Sequence, residues 1–242
     1  MSKDLVKLEK LLGYNFRDIG LLVRSLTHRS WAYENLPGES ETNIRLAENE
    51  SMEFVGDSVL GLVIAEELHL KNPGLSEGGL TLMKHHLVST NTLASIGKDL
   101  ALGDFVRLGR GEEKTGGRKK QALLANTLEA VIAAVFFDSG YVAARGVVKR
   151  LFSADLQNTS PKTSIDYKTL LQETLQSEKL AAPVYNVIKT EGLPHSRTFS
   201  VEVIWKTGVS RGTGRSIKAA EMMAASEALK DLKVESLNRT GN

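Results

Sequence analysis

Two short segments of this 242-residue chain set acidic side chains among apolar ones. In NESMEFVGDSVL (Asn49 to Leu60), Glu50, Glu53 and Asp57 recur at i, i+3 and i+7, the spacing of one helical face. Their neighbours Phe54, Val55, Val59 and Leu60 are apolar, so the acids pay a desolvation cost unless cations or donors meet them. A second segment, ALLANTLEAVIAAVFFD (Ala122 to Asp138), carries Asn126 and Glu129 at i, i+3 in a setting still more apolar. Packed face to face, two such helices gather oxygen ligands and no nitrogen or sulfur, a set that suits Mg²⁺ or Mn²⁺. Glu53 and Asp57 lie ~6 Å apart along the axis and can lean onto one site; Glu50, ~10 Å from Asp57, falls to an outer position. The competing reading is a pair of ordinary helices whose acids face solvent or pair with Arg24, Arg29 or Lys84. A carboxylate-bridged di-iron bundle needs two Glu-x-x-His pairs, and only Glu66 to His69 has that form.

The elements that must position these groups follow from periodicity. From Leu5 to Phe152 the apolar residues recur mostly every three to four positions, with breaks at Gly38, Pro73 to Gly79 and Gly109 to Gly117. That predicts an all-α domain over 1–153. The polar stretch SADLQNTSPKTS, containing Pro161, reads as a linker over 154–164. Beyond it the period changes. A helix from about Asp166 to Ser177, strands at Val184 to Lys189, Phe199 to Trp205 and Val209 to Gly212, and a helix from about Ser216 to Leu232 predict a small α+β domain, α-β-β-β-α, over 165–234.

Composition narrows the class. The absence of cysteine removes disulfides and thiolate metal sites, and with a charged amphipathic N-terminus in place of a signal peptide it points to the cytoplasm. The longest uncharged apolar runs, Val59 to Ala65 and Ala130 to Phe137, are short of the ~20 residues of a membrane span, so a soluble chain with no membrane partner is expected. A net charge of +2 steers weakly, and any nucleic-acid contact must depend on where the charges sit.

NESMEFVGDSVL resembles the signature motif of ribonuclease III, and ALLANTLEAVIAAVFFD resembles that family's second catalytic helix. LTHRSWAYEN (Leu26 to Asn35) and LGRGEEKTGGRKK (Leu108 to Lys120) are similar to further family segments in the same order. The resemblance implies a metal-dependent endoribonuclease that hydrolyses double-stranded RNA, with Mg²⁺ as cofactor, Mn²⁺ as substitute and no small-molecule cofactor. Position by position, Glu53, Asp57 and Glu129 match the metal-binding and catalytic carboxylates, with Asp57 and Glu129 as the catalytic pair. Glu50 matches a further acidic position, and Phe54 matches an aromatic packed across a two-fold homodimer interface. Asn126 stands where the family most often has Asp; an amide oxygen can still ligate a metal. Implied products carry 5′-phosphate and 3′-hydroxyl ends with short 3′ overhangs, from work such as rRNA processing. A catalytically silent scaffold that binds duplex RNA is the alternative, favoured only by Asn126.

Two further segments bear on RNA. Arg107 to Lys120 sets Arg107, Arg110, Lys114, Arg118, Lys119 and Lys120 against Glu112 and Glu113 among glycines, which reads as a flexible basic loop suited to phosphate. Residues 166–233 resemble a double-stranded-RNA-binding domain, a module that reads duplex shape through contacts spread over three elements. The candidates are Gln172 and Gln176 on the first helix, His195 in the loop after Pro194, and Gly212, Gly214, Arg215 and Lys218 leading into the last helix. Where Ile217 stands, the family normally has a second basic residue.

Overall fold

The computed structural model describes the backbone of residues 2–161, 167–192 and 197–240, and the side chains of 5–161, 167–192 and 197–232. The chain divides into two units, Met1–Ser164 and Ile165–Asn242.

The first unit is helical: α1 (Ser2–Leu12), α2 (Ile19–Ser25), α3 (Arg29–Asn35), α4 (Glu41–Ala47), α5 (Glu50–Lys71), α6 (Glu77–Leu87), α7 (Thr90–Asp99), α8 (Leu102–Phe105), α9 (Arg110–Lys114), α10 (Gln121–Leu151) and α11 (Ser153–Asn158). Side-chain oxygens of Asp18, Ser40, Ser76 and Ser89 accept from backbone N–H groups in the first turns of α2, α4, α6 and α7, satisfying donors that a helix start leaves unpaired. Two long helices organise the unit. On α5, Met52, Gly56, Val59, Leu60, Val63, Ile64, Glu67 and Leu68 are buried at three-to-four spacing, one face against the core. On α10, buried residues run almost around the helix from Leu123 to Val135, because α2, α5, α7 and α8 pack on several of its sides.

By length and composition α10 would pass for a membrane span. Its packing makes it the central core helix instead, and it is not continuous: Gly140, at φ 74° and ψ −174°, breaks the helical path. That conformation favours a residue without a β-carbon. Asp138 pins the break by accepting from Tyr14 Oη and from the backbone N–H groups of Arg17 and Asp18. Past it, Glu67 of α5 is buried yet paired, accepting from Arg145 at 2.7 Å and Lys149 at 3.0 Å.

Two sequence expectations are corrected here. Residues 153–158 form α11 and not a linker, because Leu156 packs into the helical core beside Phe152. The stretch Arg107 to Lys120 is not a flexible loop. It holds α9 and a 3₁₀ turn (Gly117–Lys119), and most of its cations are spent on folding. Arg118 binds Glu113 at 2.6 Å and the carbonyls of Gly103 and Val106; Lys120 meets Glu112 at 2.7 Å; Arg110 meets Glu34 at 3.4 Å. Arg107 stacks its guanidinium 3.4 Å from the Trp31 ring centroid.

The second unit comprises α12 (Tyr167–Ser177), an antiparallel sheet in the order β1 (Val184–Glu191), β2 (Thr198–Trp205), β3 (Gly208–Gly214), and α13 (Ile217–Thr240). On β2, Val201, Val203 and Trp205 point inward at period two and meet Leu171 and Leu175 of α12 and Ala220, Ala224, Ala225 and Ala228 of α13. The alanines let α13 lie close to the sheet.

Candidate active site and RNA-binding surface

The acidic stripe is placed by the way α5 begins and by where it crosses α10. At its start, Asn49 is buried and its amide donates to the Ser25 carbonyl at 3.1 Å. Arg24 donates to the Glu48 carbonyl at 3.1 Å and to Ser51 at 2.8 Å, tying the first turn to α2. Glu48, 3% exposed, accepts from the Glu50 N–H at 2.8 Å, a carboxylate at the positive end of a helix. The sequence reading missed Glu48; an acid just ahead of a helix start was the available signal.

The crossing is fixed at Gly56. A β-carbon there would lie 1.9 Å from the Glu129 carbonyl oxygen, so only glycine lets the two backbones approach this closely. Ala130, Ala133 and Ala134 of α10 form a small cluster with Met52 of α5 along the same seam. With the backbones this close, Glu53 and Asp57, three residues before and one after Gly56, come beside Glu129. Glu50, Glu53, Phe54, Asp57, Asn126 and Glu129 line one open cavity of about 470 Å³.

The electrostatics follow from that crowding. Burial, and then the neighbouring charges of Asp57 and Glu53, push the Glu129 carboxyl up to about 7. Glu53 is also raised, chiefly by burial, with a hydrogen bond from the Asn126 amide working against the rise. Glu50 stands apart from this pair: it is half exposed and salt-bridged to Arg29 at 2.9 Å. Arg29 is one of the three partners that the purely structural reading offered, and it engages the outermost acid.

The donor chemistry of the site fits a hard divalent cation: carboxylates and one amide oxygen, crowded so that their ionised forms repel. As the side chains stand, no three His, Asp or Glu side chains among the described residues are grouped tightly enough to hold an ion. A second cavity of about 230 Å³ adjoins through shared Glu50, Glu53 and Asn126, and adds His28, Glu112 and Lys120. The sequence reading did not single out His28; its Nδ1 accepts from the Ser30 N–H and caps α3, and burial lowers its pKa. Phe54, at 76% exposure, stands beside the acids with its ring in solvent.

In the second unit, Gln172 and Gln176 are exposed one turn apart on α12, and Arg215 and Lys218 are exposed around the start of α13. His195 lies outside the described residues. Gly212 and Gly214 lie where β3 meets α13. Gly212 is buried, and a β-carbon there would lie 2.1 Å from the Ala224 backbone nitrogen; at Gly214 one would lie 2.5 Å from that of Ala220. These glycines seat α13 on β3. Ile217 is exposed at the start of α13.

Comparison with known proteins agrees with this division. A family described as Ribonuclease-III-like matches residues 18–156, and one described as Double-stranded RNA binding motif matches 167–232. A protein named Ribonuclease 3 from Syntrophotalea carbinolica is 42% identical over 234 residues, covering 96% of this chain and 98% of that one. Its namesake from Streptomyces coelicolor is 46% identical, covering 93% and 79%. The solved nuclease domain of the Campylobacter jejuni enzyme is 34% identical with a TM-score of 0.57, covering 65% of this chain and 99% of that one.

Proposed function

The chain belongs to the ribonuclease III family and is an endoribonuclease of double-stranded RNA, and we propose that it cuts by divalent-cation-assisted hydrolysis at the crossing of α5 and α10. The observation that carries this reading is the Gly56 contact, which crowds Glu53 and Asp57 against Glu129 and pushes that carboxyl up to about 7. Three acids are held in their folded places at an electrostatic cost, and a bound dication would offset it.

Glu53, Asp57 and Glu129 are the residues that would hold the ion, Mg²⁺ or Mn²⁺, with the Asn126 oxygen beside them. When bound, it supplies a Lewis acid for the scissile phosphate and lowers the pKa of water for attack. The chain itself does the positioning. Asn126 donates to Glu53 and favours its ionised form, while Glu129, pushed up to about 7, is partly protonated near neutral pH and serves as an anionic ligand only in its deprotonated form. Attack with departure of the 3′ oxygen leaves 5′-phosphate and 3′-hydroxyl ends.

Phe54 supports a homodimer. A ring 76% exposed beside the site is apolar surface that association would bury, and a solved Campylobacter jejuni nuclease domain is described by structural flexibility in a region involved in dimer formation. Two sites related by a two-fold axis would cut opposite strands and leave short 3′ overhangs. In the second unit, Gln172, Gln176, Arg215 and Lys218 would contact the duplex by 2′-hydroxyl and phosphate. Processing of rRNA and a cytoplasmic setting complete the reading. The test is incubation of the full chain with a long RNA duplex and Mg²⁺, with and without EDTA. Metal-dependent products with 5′-phosphate ends support it. A duplex that is bound and never cut, with either metal, would establish the silent scaffold that Asn126 favours.

A further inference from the structure

The acidic cavity poses a problem that its own residues do not solve: it must receive a phosphodiester, itself an anion. The cations tied to the stripe are already engaged. Arg29 pairs with Glu50, Arg24 is bound to the Glu48 carbonyl and Ser51, and Lys120 pairs with Glu112. Lys84 is different. Its ammonium lies against α5 at Gly61, where an added β-carbon would meet Nζ at 3.5 Å and Cε at 3.6 Å. Gly61 follows Asp57 by four residues, so the two lie one above the other on the same helical face, ~6 Å apart along the axis. Lys84 is half-buried, the end of its side chain set against the glycine, and its ammonium has no ion pair among the described residues.

We propose that Lys84 is a phosphate-contacting residue of the cutting site, holding the RNA backbone next to the scissile bond while the carboxylates hold the site itself. The inference rests on the reading of the α5–α10 crossing as that site. A compact ammonium on a flexible stem suits this task, since it binds phosphate as a point charge without fixed geometry. With no side chain at Gly61, the end of Lys84 rests on α5 one turn beyond Asp57, next to the stripe. The ligand class this assigns is a phosphodiester of the bound strand.

The test is steady-state cleavage of a short RNA duplex by the full chain at several KCl concentrations, for the unaltered chain, Lys84→Met and Lys84→Arg. Lys84→Met keeps the stem and its packing and removes the charge. It is expected to raise KM about fivefold and to lower the slope of log kcat/KM against log salt by about one ion, with Lys84→Arg restoring both. A merely structural lysine would leave the salt slope unchanged in Lys84→Met, and that result overturns the proposal. Should the unaltered chain fail to cut, the reading of the site falls by itself. Retention of the duplex on filters, read as the same salt slope, would still judge Lys84 by the same criterion.

Discussion

A β-carbon at Gly56 would come within 1.9 Å of Glu129, and one at Gly212 within 2.1 Å of Ala224, so each unit is built around a glycine pressed onto a helix backbone. What the contacts accomplish differs. At Gly56 the approach brings carboxylates together and raises the Glu129 pKa to about 7, a placement that works against stability. At Gly212 it seats an alanine face on a sheet, burying Ala220, Ala224 and Ala228 beside Val201 and Val203 with no acid in the cluster. One unit holds chemistry in place under electrostatic strain; the other gains stability and leaves its polar groups, Gln172, Gln176, Arg215 and Lys218, on the outside. The contrast predicts that cleavage and duplex binding can be broken separately.

The largest expected effect is on cleavage. Glu129→Gln nearly preserves shape and removes a charge, so cutting in Mg²⁺ should fall at least about a hundredfold while filter binding of duplex is unchanged. Parallel loss of both would erase the contrast. Next come the glycines. Gly56→Ala should destabilise the helical unit by about 3 kcal/mol or more and end cleavage. Gly212→Ala should melt the second unit alone, seen as one early transition in calorimetry with cleavage surviving at low salt. Deleting Thr163 to Asn242 should reproduce that second result, with cutting reduced about tenfold or more near ~0.2 M salt because phosphate contacts are lost. Normal cutting there would show that the second unit is no RNA anchor.

Smaller effects sharpen the electrostatic half. Asn126→Asp adds a carboxylate where an amide now binds Glu53, and should lower the Mg²⁺ needed for half-maximal cleavage with little change at saturating metal. Superimposable titrations would exclude residue 126 from the ion's surroundings. The last effect is on stability. With its carboxyl raised from 4.5 to about 7, Glu129 lets the folded chain hold a proton that the unfolded chain has lost. Stability therefore falls as pH rises from 4.5 through 7, and the penalty is absent below 4.5. Without divalent ions, Glu129→Gln should match the unaltered chain at pH 4 and exceed it above pH 7, by on the order of 1 to 2 kcal/mol once solvent screening is discounted. Equal denaturation midpoints at pH 8 would contradict that assignment.

Much of this was legible in the residues. The i, i+3, i+7 acids and the period-two run Phe199 to Trp205 report single faces of single elements, and local geometry alone determines such faces. What escaped depends on neighbours distant in sequence. Arg107 to Lys120 has a loop's composition, yet its cations find Glu34, Glu113, Trp31 and carbonyls that sequence order does not place nearby. Leu156 sits in a polar stretch and still finds the core.

The sequence by itself thus determined the two-part division into a helical unit and an α-β-β-β-α unit, and the residue types available to a site. Periodicity is a property of one element at a time, which is why it survives without the fold. Only the tertiary structure decided which glycines are bridges between backbones, which cations remain free, and which carboxylate is forced toward protonation. Those depend on distances between elements, and the energies they govern rise steeply as separation and local dielectric fall.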